Sequence, residues 1–204
     1  YVIGVTISPM EVSELVRMLL ARRGVETEED IAAFLNPNYE LHTHDPFLLK
    51  GMDRAVSRVI SAIASRERIA IYADFDCDGI PGAVLLSDLF RKIGYQNVEV
   101  YLPHRDREGY GFHTTAIEAL ASRGVTLIIT IDVGTNASEA VQFAKGKGVD
   151  VIVTDHHVKP EKVPDCITVH TTQLCGAGIS WFVAKELLLR GKGLGVRGKV
   201  INQS

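Results

Sequence analysis

The chain has 204 residues, 46% hydrophobic and 23% charged, the profile of a globular chain of about one to one and a half domains. Its net charge of −3, from 22 basic and 25 acidic residues, argues against a nucleic-acid binder that works through bulk charge, though a local basic patch remains open. Three widely spaced cysteines without a CxxC pair (Cys77, Cys166 and Cys175) fit a reducing, cytoplasmic compartment, and the absence of both a signal-peptide layout and an apolar run of about 18 residues predicts no membrane partner.

Residues 1–65 read as helical. Ser8-Pro9-Met10-Glu11 forms a capping box with proline at the first helical position, and Val12, Leu15, Val16, Leu19 and Leu20 make an apolar face that ends at Gly24. A short second helix opens over Thr27 to Asp30 and stops at Asn36-Pro37-Asn38. After a loop rich in His, Pro and Asp, the residues Ala55, Val56, Val59, Ile60 and Ile63 recur at helical spacing. From residue 69 the character changes. Short β-branched runs at 69–73, 98–102, 127–131 and 151–154, with a weaker one at 167–169, alternate with helical patterns near 80–93, 115–122, 137–147 and 177–190. Thr115/Glu118 and Asn136/Glu139 are the expected caps of two of these helices, and Gly94, Gly124 and Gly148 the stops. Strands apolar on both faces, alternating with helices, predict a parallel sheet covered on both sides. The expected fold is therefore α/β: a parallel Rossmann-like sheet of about five strands with helices on both faces. A helical N-terminal segment over 1–65 would pack on this core, a phosphoesterase-type domain would occupy 66–190, and the glycine-rich, basic stretch 191–204 would be a flexible tail.

Ligands of open parallel sheets bind outside the carboxyl ends of the strands, and the unusual polar residues fall there four times. They are Asp74-Phe75-Asp76-Cys77-Asp78-Gly79, the run His104-Arg105-Asp106-Arg107-Glu108-Gly109-Tyr110-Gly111, Asp132-Val133-Gly134, and Asp155-His156-His157. The first resembles the start of an EF-hand loop, but Leu85 stands where the closing glutamate belongs. Taken singly, each cluster has an ordinary reading as a turn, a helix cap or a solvated loop. Carboxylates gathered at one edge would repel one another, and a divalent cation relieves that repulsion. A ligand set of carboxylates with one or two imidazoles suits manganese or magnesium better than structural zinc. So many aspartates suggest two ions sharing a bridging carboxylate, with Arg105 and Arg107 as forked donors to phosphate. Cys77 reads as a small packing residue.

In this order, and with Leu174-Cys175-Gly176-Ala177-Gly178 following, these motifs resemble the catalytic DHH domain of the RecJ family of single-strand-specific exonucleases, over roughly residues 10–190. The DHH triplet alone is shared with family II pyrophosphatases and with oligoribonucleases. The Arg–x–x–Glu-Gly-Tyr-Gly segment and the Cys-Gly-Ala-Gly segment point to RecJ. The resemblance implies a two-metal phosphodiesterase using Mn2+ or Mg2+. Its action would be 5′-to-3′ on single-stranded nucleic acid, DNA more than RNA, in DNA repair or recombination and with replication or repair proteins as partners. It further implies Asp74 and Asp76 on one ion, Asp78 and His156 on the other, and Asp132 bridging both. His157 would sit beside the scissile phosphate, as ligand or donor, and Asp155 would orient the histidines. His104, Arg105 and Arg107 would contact phosphate or nucleic acid, as would backbone N–H groups at Gly176 and Gly178, although packing is an equal reading for those glycines. Gly109 and Gly111 would let their loop pack closely. Family members carry a further Leu-Gly-Thr-x-Ala-Asp motif and a second domain that this chain lacks. It reads either as a piece of a longer enzyme, which its start at Tyr1 favours, or as a shortened relative. His170 reads as a satisfied strand-end histidine in preference to a substitute ligand. Alternatives to the exonuclease are a phosphodiesterase for short nucleotides and a catalytically impaired RecJ-like binding module.

Overall fold

The computed structural model describes residues 12–190, so the expected Ser8 capping box and the 191–204 tail lie outside the described residues. The chain divides into two compact units between Asp45 and Pro46. In the first, α1 spans Glu14–Ala21, α2 Glu28–Leu35 and α3 Tyr39–His42. Side chains close their N-termini: Ser13 accepts from the Val16 N–H, Thr27 from Asp30, and Asn38 from Glu40 and Leu41. A two-pronged pair between Arg17 and Glu28 links α1 to α2. Of the apolar face expected along α1, only Leu20 is buried.

The second unit opens with a 3₁₀ turn at Pro46–Leu48 and then α4 (Met52–Ala64). Five strands follow: β1 Arg68–Ala73, β2 Val98–Tyr101, β3 Val125–Ile131, β4 Asp150–Asp155 and β5 Ile167–His170. They alternate with α5 (Gly79–Lys92), α6 (Thr114–Ser122), α7 (Ser138–Gly146) and α8 (Gly176–Arg190). Every pairing is parallel, in the spatial order β2-β1-β3-β4-β5. The expected parallel α/β sheet is what the chain forms, weak fifth strand included.

Alternation along the strands explains the two covered faces. On β1, Ile69, Ile71 and Ala73 point into a core built with α4, α5 and α8, through Val56, Val59, Leu86, Phe90 and Ile179. Ala70 and Tyr72 point the other way, onto α6 and α7 through Ile117, Leu120, Val141 and Ala144. Each large aliphatic side chain buried this way contributes about 1.5–3 kcal/mol. α4 thus belongs to the sheet's own core, although the sequence reading placed it in the N-terminal segment.

Local starts differ from expectation at two helices. α6 is entered from His113 and α7 from Ala137, neither with a side-chain cap, in place of the expected Thr115 and Asn136. The His113 ring is instead hydrogen-bonded to the Gly109 carbonyl, so the preceding loop and not a hydroxyl cap fixes the entry to α6. The glycine stops hold: Gly94, Gly124 and Gly148 all have positive φ.

The strand order places the site. β1 is followed by a crossover to one side, to β2, while β3 lies on its other side and leads on to β4 and β5. Neighbouring crossovers that depart in opposite directions open a crevice at the carboxyl ends of β1 and β3, and those strands lead directly into Asp74 and Asp132.

Candidate metal centre

Asp74 and Asp132 each stand one residue past their strand, and Asp155 is the last residue of β4. All three are almost wholly buried. Asp74, Asp76 and Asp132 each present a carboxylate oxygen, and those oxygens lie within 4.8 Å of one another; a second group, Asp132, His156 and His157, meets the same limit. Asp132 belongs to both. Asp78 joins the second group from the side, its Oδ2 lying 3.6 Å from His156 Nε2, which is itself 3.1 Å from Asp132 Oδ1.

Asp132 is the unusual residue. Its φ of 62° is left-handed, a conformation that costs a non-glycine residue about 1–2 kcal/mol and that Asp and Asn tolerate best. Both of its carboxylate oxygens are buried without a hydrogen bond, because the nearby His156 nitrogen is not aligned as a donor. Asp74 Oδ1 is in the same condition. Burial, and after it the charges of Asp78 and Asp76, pushes the Asp132 carboxyl up to about 9. Burial and the neighbouring Asp76 likewise raise Asp74. Buried carboxylate oxygens left unpaired fit divalent cations, and the donor set of carboxylates plus imidazole fits hard or borderline ions.

Asp155 is different in kind. Its carboxylate accepts from the Thr135 N–H at 2.8 Å, from the His156 N–H at 2.7 Å, and from the His157 N–H and Nδ1 at 3.2 and 2.7 Å. Burial alone would raise its pKa, but the facing Thr135 and His157 groups outweigh burial and hold it below the ordinary range. With Nδ1–H given to Asp155, His157 keeps Nε2 for a ligand. Asp76 is also held low: burial opposes ionisation, and the N–H groups of Gly79 and Asp78 more than compensate.

The loop after β2 brings Arg105 to the rim, its guanidinium carbon 4.7 Å from the centre of the Phe75 ring. A tight turn shapes this loop, with the N–H groups of Arg107, Glu108 and Gly109 all directed at the His104 carbonyl. Glu108 clamps it by accepting from the His104 N–H and the Tyr101 hydroxyl. His104 and Arg107 are exposed, and the structure shows neither in contact with the acidic cluster. Gly109 needs its positive φ more than close packing, since a side chain there would meet nothing.

A family model described as the DHH family, N-terminal domain, matches residues 68–198. The chain belongs to the DHH family. It is 36% identical over 189 residues to the single-stranded-DNA-specific exonuclease RecJ of Bacillus subtilis, covering 88% of this chain and 24% of that protein. Against the RecJ of Haemophilus influenzae it is 29% identical, over 84% of this chain and 30% of that protein. The chain therefore spans about a quarter to a third of the length of these relatives. Among solved structures, it matches an exonuclease RecJ bound to manganese with a TM-score of 0.66 and 28% identity, over 77% of this chain and 41% of that one. A RecJ from Thermus thermophilus in complex with Mn2+ shares the fold at a TM-score of 0.64 and 22% identity.

At Gly176 the structure favours packing, one of the two readings the sequence left open, and at Cys77 it departs from expectation. The Gly176 N–H offered to phosphate is donated to Asp78 Oδ2 at 2.5 Å, and a Cβ at Gly176 would lie 2.6 Å from the Asp132 Cβ. Gly176 is thus a packing glycine that anchors one acidic side chain and makes room for another. Gly178 faces Leu174 and Cys175 at ordinary contact distance. Gly176→Ala is expected to displace Asp132 and to lower stability by about 1–3 kcal/mol, read as a drop in thermal midpoint together with weakened Mn2+ binding. Cys77, expected to pack, is exposed between Asp76 and Asp78, because Asp76 turns the chain outward by capping Asp78 and Gly79.

One residue escaped the sequence reading. Tyr110 sets its hydroxyl 3.4 Å from His157 Nδ1, with the rings 5.8 Å apart, and desolvation together with the surrounding aspartates raises its pKa, keeping the hydroxyl neutral. Its flanking glycines, Gly109 and Gly111, both at positive φ, were the available signal: they mark a loop bent to aim the residue between them. His170 is accounted for as expected, donating Nε2–H to the His157 carbonyl at 2.6 Å.

Proposed function

We propose that this chain carries the metal-binding half of a two-metal phosphodiesterase, a 5′-to-3′ exonuclease on single-stranded DNA that uses Mn2+ or Mg2+. The observation that carries this reading is the pair of donor groups that share a buried, unpaired Asp132. Similarity to RecJ proteins named as single-stranded-DNA-specific exonucleases, and to a RecJ bound to manganese, supports the substrate and the metal. Asp74 and Asp76 would hold one ion, Asp78 and His156 the other, and Asp132 both. When bound, such ions supply an activated water and offset charge on the entering and leaving oxygens.

The chain's own residues do the remaining work. Asp155 fixes the His157 tautomer and aims Nε2 at the phosphate. Tyr110 presents a neutral hydroxyl beside that histidine. Arg105, braced on Phe75, is placed to take a phosphate oxygen of the strand, with His104 and Arg107 further out on the same loop. Gly176 N–H holds Asp78 in position. Among the described residues no helix is long and apolar enough to cross a membrane. The proposed setting is cytoplasmic DNA repair or recombination, beside replication or repair proteins.

The test is incubation of a 5′-labelled oligothymidylate with the protein and Mn2+. Labelled mononucleotide is the expected product, and excess chelator should stop its release. A rate higher on a dinucleotide than on a long strand would move the substrate to short nucleotides, and release that persists in chelator would overturn the metal mechanism.

A further inference from the structure

On the β5 side of the Asp155–His157 pair lies a cavity of about 280 Å³ that the proposed chemistry does not use. Three cations line it, Lys50, Arg54 and Lys159, beside His170, Thr135 and Thr168, with no carboxylate among its lining residues. Val163, Pro164 and Cys166 form an apolar wall. Thr135, 2% exposed, lines the cavity with its hydroxyl turned toward Asp155. Beside the three cations stands the start of α4, a 13-residue helix entered at Gly51 in the left-handed conformation without a side-chain cap. Gly51, Lys50 and Arg54 from this helix start all line the same cavity. The positive end of a helix dipole, with N–H groups that no side chain satisfies, favours a negative ligand.

We infer that this cavity binds a nucleotide phosphate, held by Lys50, Arg54 and Lys159. The inference rests on the phosphodiesterase reading for the identity of the phosphate, not for the cavity's chemistry. Its position is informative. Thr135 gives its backbone N–H to Asp155, and His170 gives its ring N–H to the His157 carbonyl, so two cavity walls are one hydrogen bond from the metal centre. A phosphate seated here is therefore either a diester of the strand being cut or the monoester of the nucleotide released from it. In both cases the recognised group is the same oxyanion.

The experiment titrates metal-free protein with inorganic phosphate and with dTMP by calorimetry, comparing the parent with Lys50→Gln/Arg54→Gln/Lys159→Gln. These three side chains are exposed, and circular dichroism and Mn2+ stoichiometry check that the fold and the metal centre are retained. Loss of charge-assisted hydrogen bonds should weaken phosphate about tenfold or more. Lys50→Arg/Lys159→Arg should restore most of the binding. Anisotropy titrations of oligothymidylate against salt separate the two sources. A slope smaller by about 0.7 in the triple variant identifies a strand phosphate. An unchanged slope with weakened dTMP identifies the released nucleotide. The inference is overturned if the parent binds neither inorganic phosphate nor dTMP, or if the triple variant binds both as the parent does. Failure of Mn2+-dependent nucleotide release by the parent would count against the proposed function alone, because the phosphate titration is made without metal.

Discussion

Asp132→Ala is expected to abolish nucleotide release and to remove both bound metal ions, not one. Asp132 is the single residue common to the two donor groups, and its oxygens accept no hydrogen bond. Metal stabilisation of a phosphoryl transition state amounts to several kcal/mol, so the rate should fall about a thousandfold or more. The check is Mn2+ content after dialysis, measured with the rate on a labelled single strand. Asp76→Ala supplies the contrast. That residue belongs to only one group, and its loss should leave one ion bound. If Asp132→Ala keeps two ions per chain, the shared-carboxylate arrangement is wrong whatever happens to the rate.

The second large effect concerns the metal-free protein. A carboxyl raised to about 9 holds its proton more tightly in the folded chain than in the unfolded chain. Between the ordinary carboxylate range and about 9 the folded state therefore binds more protons, and this group's contribution makes stability fall as pH rises. Asp132→Asn keeps the shape, tolerates the left-handed backbone and removes the charge. At pH near 8 the metal-free Asn variant is expected to melt at least about 3 °C above the parent, equivalent to about 1 kcal/mol. The two midpoints should converge in acid, where the carboxyl is protonated in the unfolded chain as well as in the folded one. Added Mn2+ should reverse the order, stabilising the parent and leaving the variant unmoved. Because the ion displaces a proton below about 9, apparent Mn2+ affinity in the parent should weaken by up to about tenfold for each unit of acidification. Equal melting temperatures at every pH would show that Asp132 carries no unfavourable charge.

The two effects have one origin. The fold holds charged groups together at a cost in stability, and a cation offsets that cost. Much of this was readable in the sequence because an open parallel sheet converts strand ends into neighbours. Asp74, Asp132 and Asp155 each end or follow an apolar run, and once the runs are parallel strands the three must share an edge. The histidine pair followed from adjacency to Asp155. Contacts that depend on tertiary distance were not legible. Nothing local shows that the Gly176 N–H reaches back to Asp78, 98 residues earlier, or that Tyr110 swings onto His157. The phosphate cavity is similarly hidden, since Lys50 and Arg54 come from the start of α4 while Thr135 and Lys159 come from the loops after β3 and β4. The caps of α6 and α7 were misread for a related reason: the residues that precede these helices, His113 and Ala137, make no side-chain cap, and a ring contact to the Gly109 carbonyl holds the first of them.

Anomalous diffraction from crystals grown with Mn2+ tests the arrangement most directly. Two peaks about 3.5–4 Å apart, with the Asp132 carboxylate between them, are the predicted result. A single peak, or peaks that leave Asp132 uncoordinated, would contradict it.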